Sequence, residues 1–328
     1  MKVLVVGGAG YIGSHAVKQL LEHGYEVVVV DSLETGHKKA VPEYVPFYQV
    51  DIRNEEALNE VFQKENIEGV IHFAANSLVG ESMVKPLKYY NNNVYGTQVL
   101  LDTMVKNNIK YIVFSSTAAT YGEAKEMPIT EDMVTMPTNT YGETKLAIEK
   151  MMKWTHKAHD LNYMCLRYFN VAGADASGEI GEAHTCETHL IPLILQVPLG
   201  QREYISVFGT DYPTKDGTCI RDYIHVTDLV NAHILALEYL VKGGESDICN
   251  LGSNSGYSVL EMIEAARSVT GHSIPAKFEA RRMGDPASLI ASSAKAKRLL
   301  NWEPQIIDIK EIIKSAWKWH EGHPNGYK

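Results

Sequence analysis

Tyr141-Gly-Glu-Thr-Lys145 sets a phenol and an amine four residues apart, which on a helix puts both on one face. A free tyrosine, with a pKa about 10, is a poor base at neutral pH, and a neighbouring ammonium favours its phenolate. On its own a Y-x-x-x-K pair is a common accident of exposed helices. Here Ser115-Ser116-Thr117 follows an apolar run, 24 residues upstream of Tyr141. The Thr117 hydroxyl can hydrogen-bond the same reacting oxygen. Thr117, Tyr141 and Lys145 are together the equipment for moving a proton on and off a secondary alcohol while a nicotinamide takes the hydride.

A place for such a nicotinamide is written at the start of the chain. Lys2-Val-Leu-Val-Val runs directly into Gly7-Gly8-Ala9-Gly10-Tyr11-Ile12-Gly13. Gly8-x-Gly10-x-x-Gly13 fits the dinucleotide fingerprint, and Gly7-x-x-Gly10-x-x-Gly13 a variant of it. Glycines there let backbone N–H groups approach a pyrophosphate at a helix N-terminus. The context agrees, since Ile12, Ala16, Leu20 and Leu21 predict an amphipathic helix next. A second apolar strand, 27–30, then ends in Asp31, 18 residues past Gly13. A carboxylate there accepts from a ribose diol and repels a 2′-phosphate, which predicts NAD rather than NADP.

The elements that must position these groups alternate regularly. Strands are expected at 47–50, 69–74, 110–116 and 163–167, and helices at 55–64, 86–107 and 141–159. Runs that are apolar at every position suit strands buried on both faces, so the fold class is α/β, a Rossmann-type doubly wound parallel sheet. Ligands sit beyond the carboxyl ends of such strands, which selects the loops at 7–13, 31–36, 51–52, 73–77, 115–117 and 168–173. Beyond about residue 175 the alternation breaks down. We therefore expect a NAD-binding domain at 1–175 and a smaller α/β substrate lobe at 176–328, with the chain free to cross back.

Composition narrows the function. The 328 residues are 45% apolar and 22% charged, with a net charge of −9, which leaves no footprint for nucleic acid or an anionic membrane. No apolar run reaches spanning length, and the chain enters a core strand at once, so a cytoplasmic protein without signal peptide is expected. Cys165, Cys186, Cys219 and Cys249 are scattered and read as reduced thiols. The thirteen histidines show no H-E-x-x-H or paired-ligand spacing, and no metal is expected.

Taken together the motifs resemble the extended short-chain dehydrogenase/reductase family, nearly end to end. The matching stretches are Gly7–Ser14, Ile71-His-Phe-Ala74, Val79-Gly-Glu-Ser82, Lys85–Tyr90, Phe114-Ser-Ser-Thr117, Tyr121-Gly122, Tyr141-x-x-x-Lys145 and Leu166-Arg-Tyr-Phe-Asn170. Further on come Val207–Gly217, Arg221-Asp-Tyr-Ile-His225, Asn250-Leu-Gly252, Arg281-Arg-Met-Gly-Asp285 and Asn325-Gly-Tyr327. Within the family the likeness is to members that invert C4 of UDP-hexoses. It implies interconversion of UDP-glucose and UDP-galactose in galactose metabolism, with NAD⁺ regenerated in each turnover. Tyr141 would take the 4-hydroxyl proton with Thr117 sharing the hydrogen bond, the 4-keto sugar would turn over, and hydride and proton would return. Lys145 would lower the tyrosine pKa and hold the nicotinamide ribose.

The resemblance further implies NAD contacts at Gly7, Gly10, Tyr11, Ile12, Gly13, Asp31, Asp51, Ile52, Phe73, Ala74, Ala75, Asn92, Lys145 and Phe169. For the nucleotide sugar it implies Thr117, Tyr141, Asn170, His189, Leu190, Val207, Phe208, Arg221, Tyr223, Arg282 and Asp285. Arg221 and Arg282 also make sense on their own as forked donors for a diphosphate. A homodimer is implied, built on helices near 86–107 and 141–159. The chain departs from the family at Ser77, where lysine is common, at Thr117, where serine is commoner, and at His189, where asparagine is frequent. Leu289 stands where some members carry tyrosine against the sugar 2-substituent, which suggests room for UDP-GlcNAc and UDP-GalNAc. Other readings are a 4,6-dehydratase, a UDP-glucuronate 4-epimerase and a non-catalytic NAD-sensing protein. Ala118-Ala119 stands where a dehydratase carries Asp-Glu after its threonine, and both Tyr141 and Lys145 are retained.

Overall fold

Val3 to Val6 are wholly buried because strand β1 (Lys2–Val6) runs through the middle of a sheet covered on both faces. This is a computed structural model that describes residues 1–124, 126–282 and 285–328. The chain continues through helix α1 (Tyr11–Glu22), β2 (Glu26–Asp31), β3 (Phe47–Gln49), helix α2 (Glu55–Glu65), β4 (Gly69–His72), β5 (Tyr111–Ser115) and β6 (Asn162–Tyr168). A seventh strand, Asp247–Leu251, joins β6, and the order across the sheet is Asp247–Leu251, β6, β5, β4, β1, β2, β3. Every pairing in it is parallel. The order reverses between β1 and β4, and that crevice is where such sheets bind ligands.

One apolar layer packs α1 and the helix Val226–Val241 against the sheet through Val17, Leu20, Leu229 and Leu237. The opposite layer packs α2, Gly96–Lys106 and Thr140–His159 through Leu58, Leu100, Met104, Ile148 and Met152. Residues 226–251 thus return to the large sheet. The remaining segments form a separate core around Ile194, Val207, Met262 and Ile313. It carries three small sheets, in which Ile205–Phe208 pairs with Ala276–Glu279, Asn170–Ala172 with Tyr223–His225, and Ile220–Arg221 lies between Tyr257–Ser258 and Ser288–Leu289.

The helix expected at 86–107 is interrupted. Pro86–Tyr89 and Gly96–Lys106 are α-helical, but Tyr90–Tyr95 between them is a π-helical turn. Such wide turns recur at functional sites, and this one carries Asn92. Its neighbour Asn93, fully buried, braces it by accepting from Asn76 N at 2.8 Å and donating to Thr144 Oγ1 at 3.1 Å. Among the described residues no helix is long and apolar enough to cross a membrane.

Candidate active site

The carboxyl ends of β1, β2, β4, β5 and β6 and one side of the second lobe enclose a cleft of about 1240 Å³. That exceeds the usual range of roughly 300–1,000 Å³ for one small ligand and leaves room for two nucleotide-sized ones. Its floor is the glycine turn. Gly7 has φ +84°, a conformation that glycine adopts without strain, and a Cβ on Gly13 would meet the Gly7 carbonyl oxygen at 2.0 Å. Helix α1 starts here with Gly10 as its N-cap, no side-chain cap and no acid in its first turn. Its leading amides are therefore left for an anion.

Asp31 ends β2 beside this turn. Its Oδ2 accepts from Ala9 N at 2.9 Å and its Oδ1 from Leu33 N at 2.8 Å. Burial raises its pKa and the two amide donors oppose the rise. Asp51 is gripped by Arg53, whose Nε lies 2.9 Å from Oδ1, and this pairing holds its carboxyl below the ordinary range. All fourteen residues expected to touch the dinucleotide line the cleft. The glycine cradle, bare helix start and Asp31 are the parts that an NAD pyrophosphate and ribose need.

The residues expected to transfer the proton converge on the same space. Thr117, Tyr141 and Lys145 all line it, and Lys145 Nζ lies 5.9 Å from the Tyr141 ring centre. Asn139 caps the start of this helix by accepting from Gly142 N at 2.8 Å, which fixes where Tyr141 emerges. Lys145 donates to Ser115 O at 2.7 Å and sits 4.6 Å from the Phe114 ring centre. Burial pulls the Lys145 pKa down to about 7, against the opposing pull of Glu149. Burial pushes the Tyr141 phenol well up, Tyr168 adds to this, and the Thr117 hydroxyl works the other way. The Thr117 hydroxyl thus favours the phenolate. A buried amine near neutrality is a weak source of positive charge.

The expected sugar-nucleotide residues divide. Thr117, Tyr141, Asn170, His189, Arg282 and Asp285 line the cleft, whereas Leu190, Val207, Phe208, Arg221, Tyr223 and Leu289 are not part of its wall. Several of the latter sit one contact behind. Arg221 Nη2 holds Asp285 Oδ1 at 2.5 Å, and the Arg282 guanidinium lies 4.0 Å from the Phe208 ring centre. Val207 and Tyr223 belong to the core of the second lobe. Leu289 lies in the strand beside Arg221. Met283 and Gly284 of the Arg281–Asp285 motif lie outside the described residues.

Two groups escaped the sequence reading. Tyr168 lines the cleft, and its hydroxyl lies 3.0 Å from Ser115 Oγ, itself 3.0 Å from His233 Nε2. Glu182, His184 and Glu187 join His189 on one wall. The spacing His184-x-x-Glu187-x-His189 was the available signal, which the sequence reading, finding no paired-ligand spacing, passed over. Burial lowers the histidine pKa values, but hydrogen bonds to Glu182 and Glu187 outweigh it and carry His184 to about 9 and His189 to about 10.

A profile of the NAD dependent epimerase/dehydratase family matches residues 3–252. The chain belongs to that family. It is 58% identical to the UDP-glucose 4-epimerase of Halalkalibacterium halodurans, over 100% of this chain and 98% of that one. The solved UDP-glucose 4-epimerase of Bifidobacterium longum, in complex with NAD⁺ and UDP, is 40% identical, with a TM-score of 0.93 over 100% of both chains. The UDP-Glc/GlcNAc 4-epimerase of Campylobacter jejuni is also 40% identical, with a TM-score of 0.87 over 98% of this chain and 99% of that one. For an epimerase-family chain, the glycine turn and the Tyr141–Lys145 helix face occupy one cleft as the chemistry requires.

Proposed function

We propose that this chain is an NAD-dependent isomerase that interconverts UDP-glucose and UDP-galactose at C4. The observation that carries the reading is that Thr117, Tyr141 and Lys145 open onto the same cleft as the glycine turn and Asp31. Relatives and solved neighbours named UDP-glucose 4-epimerase support it at high identity and full length. NAD⁺, when bound, supplies reversible hydride acceptance at the sugar carbon and a positive ring that favours a nearby phenolate. Tyr141 receives the 4-hydroxyl proton and later returns it, with Thr117 sharing the hydrogen bond. Lys145, anchored on Ser115 O, would hold the nicotinamide ribose. Inversion requires the oxidised sugar to offer its other face before reduction, so the grip must fall on the diphosphate. Arg282, stacked over Phe208, supports that grip from the second lobe, while Asp285, paired with Arg221, can accept only from a hydroxyl or amide of the nucleotide.

Where dehydratases of this family carry an acid after the threonine, this cleft has Ala119. Two finer points belong to the same proposal. The extension to UDP-GlcNAc and UDP-GalNAc is supported by the Campylobacter jejuni neighbour's printed specificity; Leu289 lies behind the cleft wall beside Arg221, so only a longer side chain there would reach the sugar. A Leu289→Tyr variant should lower the ratio of N-acetylated to plain substrate turnover, and an unchanged ratio defeats the extension. A homodimer is supported by Val84 and Leu87, 76% and 80% exposed, and by Trp154 at 66%, which lie at or beside the two helices expected to pair. Light scattering of the purified protein decides it. Unpaired thiols at Cys165, Cys186, Cys219 and Cys249 support a cytoplasmic setting.

The deciding experiment gives the purified protein UDP-galactose with no added cofactor. Formation of UDP-glucose is expected. No conversion even with NAD supplied overturns the reading, and dehydratase and uronate substrates are then the next tests.

A further inference from the structure

Glu182, His184, Glu187 and His189 bring two carboxylates and two imidazoles together on the cleft wall, with one ligand atom from each inside 4.8 Å of the others. The carboxylates are the buried members, with Glu182 and Glu187 side chains only 6% and 8% exposed. Both histidines turn the same nitrogen inward. His184 Nδ1 lies 3.2 Å from Glu182 Oε1 and 3.2 Å from Glu187 Oε2. His189 Nδ1 lies 2.9 Å from Glu182 Oε1 and 2.8 Å from Glu187 Oε1. Each Nδ1 can carry one proton and donate along one line, yet each faces two carboxylates. Two protons cannot serve four contacts well, whereas one central cation can. Among the described residues no lysine or arginine forms an ion pair with either glutamate.

We propose that these four residues are a binding site for a zinc-class divalent transition metal. The donor set is two imidazole nitrogens and two carboxylate oxygens, which suits Zn²⁺ and disfavours Mg²⁺. A tetrahedral shell at about 2.0–2.1 Å sets its donors roughly 3.3 Å apart, so the four histidine–carboxylate spacings need to open by a few tenths of an ångström, and all four ligand atoms already lie within 4.8 Å of one another. The four ligands fall within eight consecutive residues, and the loop is tied down around them. Trp319 Nε1 donates to Glu182 O at 3.0 Å, His37 Nε2 lies 2.7 Å from Ala183 O, and the helix Leu190–Leu195 begins directly after His189. With all four donors engaged the site has no open position for a reacting water. Its role is structural, locking the wall against which the nucleotide sugar lies and holding His189 in place. A metal here would depart from the expectation of a chain without one.

The test uses untagged, NAD-loaded protein purified without chelator. Elemental analysis is expected to find about one zinc per chain. Chelator-treated protein titrated with zinc chloride is expected to bind one equivalent, with magnesium chloride unable to compete. His184→Ala and Glu187→Gln should each weaken zinc binding by at least about tenfold while retaining NAD. Metal removal should raise KM for UDP-galactose more than it lowers kcat. Absence of zinc together with no saturable uptake of added zinc overturns the proposal, as does uptake unchanged in both variants. Should the variants fail to fold, cobalt added to the chelator-treated wild type decides. Intense visible bands of tetrahedral Co²⁺ support the site, and the pale spectrum of octahedral Co²⁺ defeats it.

Discussion

Glu149 and Arg167 form a two-pronged ion pair beneath the helix face that carries Tyr141 and Lys145. Arg167 Nε lies 2.9 Å from Glu149 Oε1 and Nη2 lies 2.5 Å from Oε2, with side chains 4% and 2% exposed. Glu149 stands one helical turn beyond Lys145, as Lys145 stands one turn beyond Tyr141, and it also accepts from Ser116 Oγ at 2.6 Å. One carboxylate thus ties the helix to β6 and to the end of β5. Glu149→Ala would strand the Arg167 guanidinium in the core, and a loss of about 3–5 kcal/mol is expected. Urea denaturation of NAD-loaded protein measures it, and a loss near zero would mean that the pair is dispensable.

Tyr141→Phe removes only the hydroxyl proposed to exchange the proton. Turnover should fall by about 10²–10⁴-fold while the variant keeps its NAD. Lys145→Met should be worse for the fold, because Ser115 O loses its donor at 2.7 Å. Steady-state rates with UDP-galactose and cofactor content after gel filtration separate the two effects.

The glycines of the turn should fail in different ways. At Gly13 a methyl would lie 2.0 Å from the Gly7 carbonyl oxygen, and that is backbone, which cannot step aside. At Gly10 the nearest atom is 3.4 Å away. Gly10→Ala should therefore melt like the wild type but lose NAD from the cleft it lines, whereas Gly13→Ala should lose both stability and cofactor. Parallel melting curves and NAD content would show it, and equal behaviour would refute the distinction.

Asp222 predicts a pH dependence. Burial carries its pKa to about 6 although Ser253 and Ala291 donate to it. A carboxyl raised in the folded state keeps its proton there while the unfolded chain has lost it, so stability falls as pH rises from about 4 through 6. Relative to Asp222→Asn, which does not titrate, the wild type should lose about 3 kcal/mol across that window. Denaturant midpoints at pH 4, 5, 6 and 7 test this, and a constant difference would disprove it.

What the amino-acid order determined by itself was local or periodic. Val3–Val6 and Val27–Val30 read as strands because they are apolar at every position. The glycines at 7, 10 and 13 read as a cradle because their lack of side chains matters within a single turn. Tyr141 and Lys145 read as one face because helical geometry repeats every 3.6 residues. Tertiary structure decided what depends on chain segments that meet without any period. It sent Asp247–Leu251 back to pair with β6, and it opened the π-helical turn that carries Asn92. It also set Val207 and Tyr223 inside the second core rather than on the cleft wall. The wall at 182–189 belongs to the same class. It is an irregular loop, so only its folded path, pinned by Trp319 and His37, turns two imidazoles and two carboxylates toward one point.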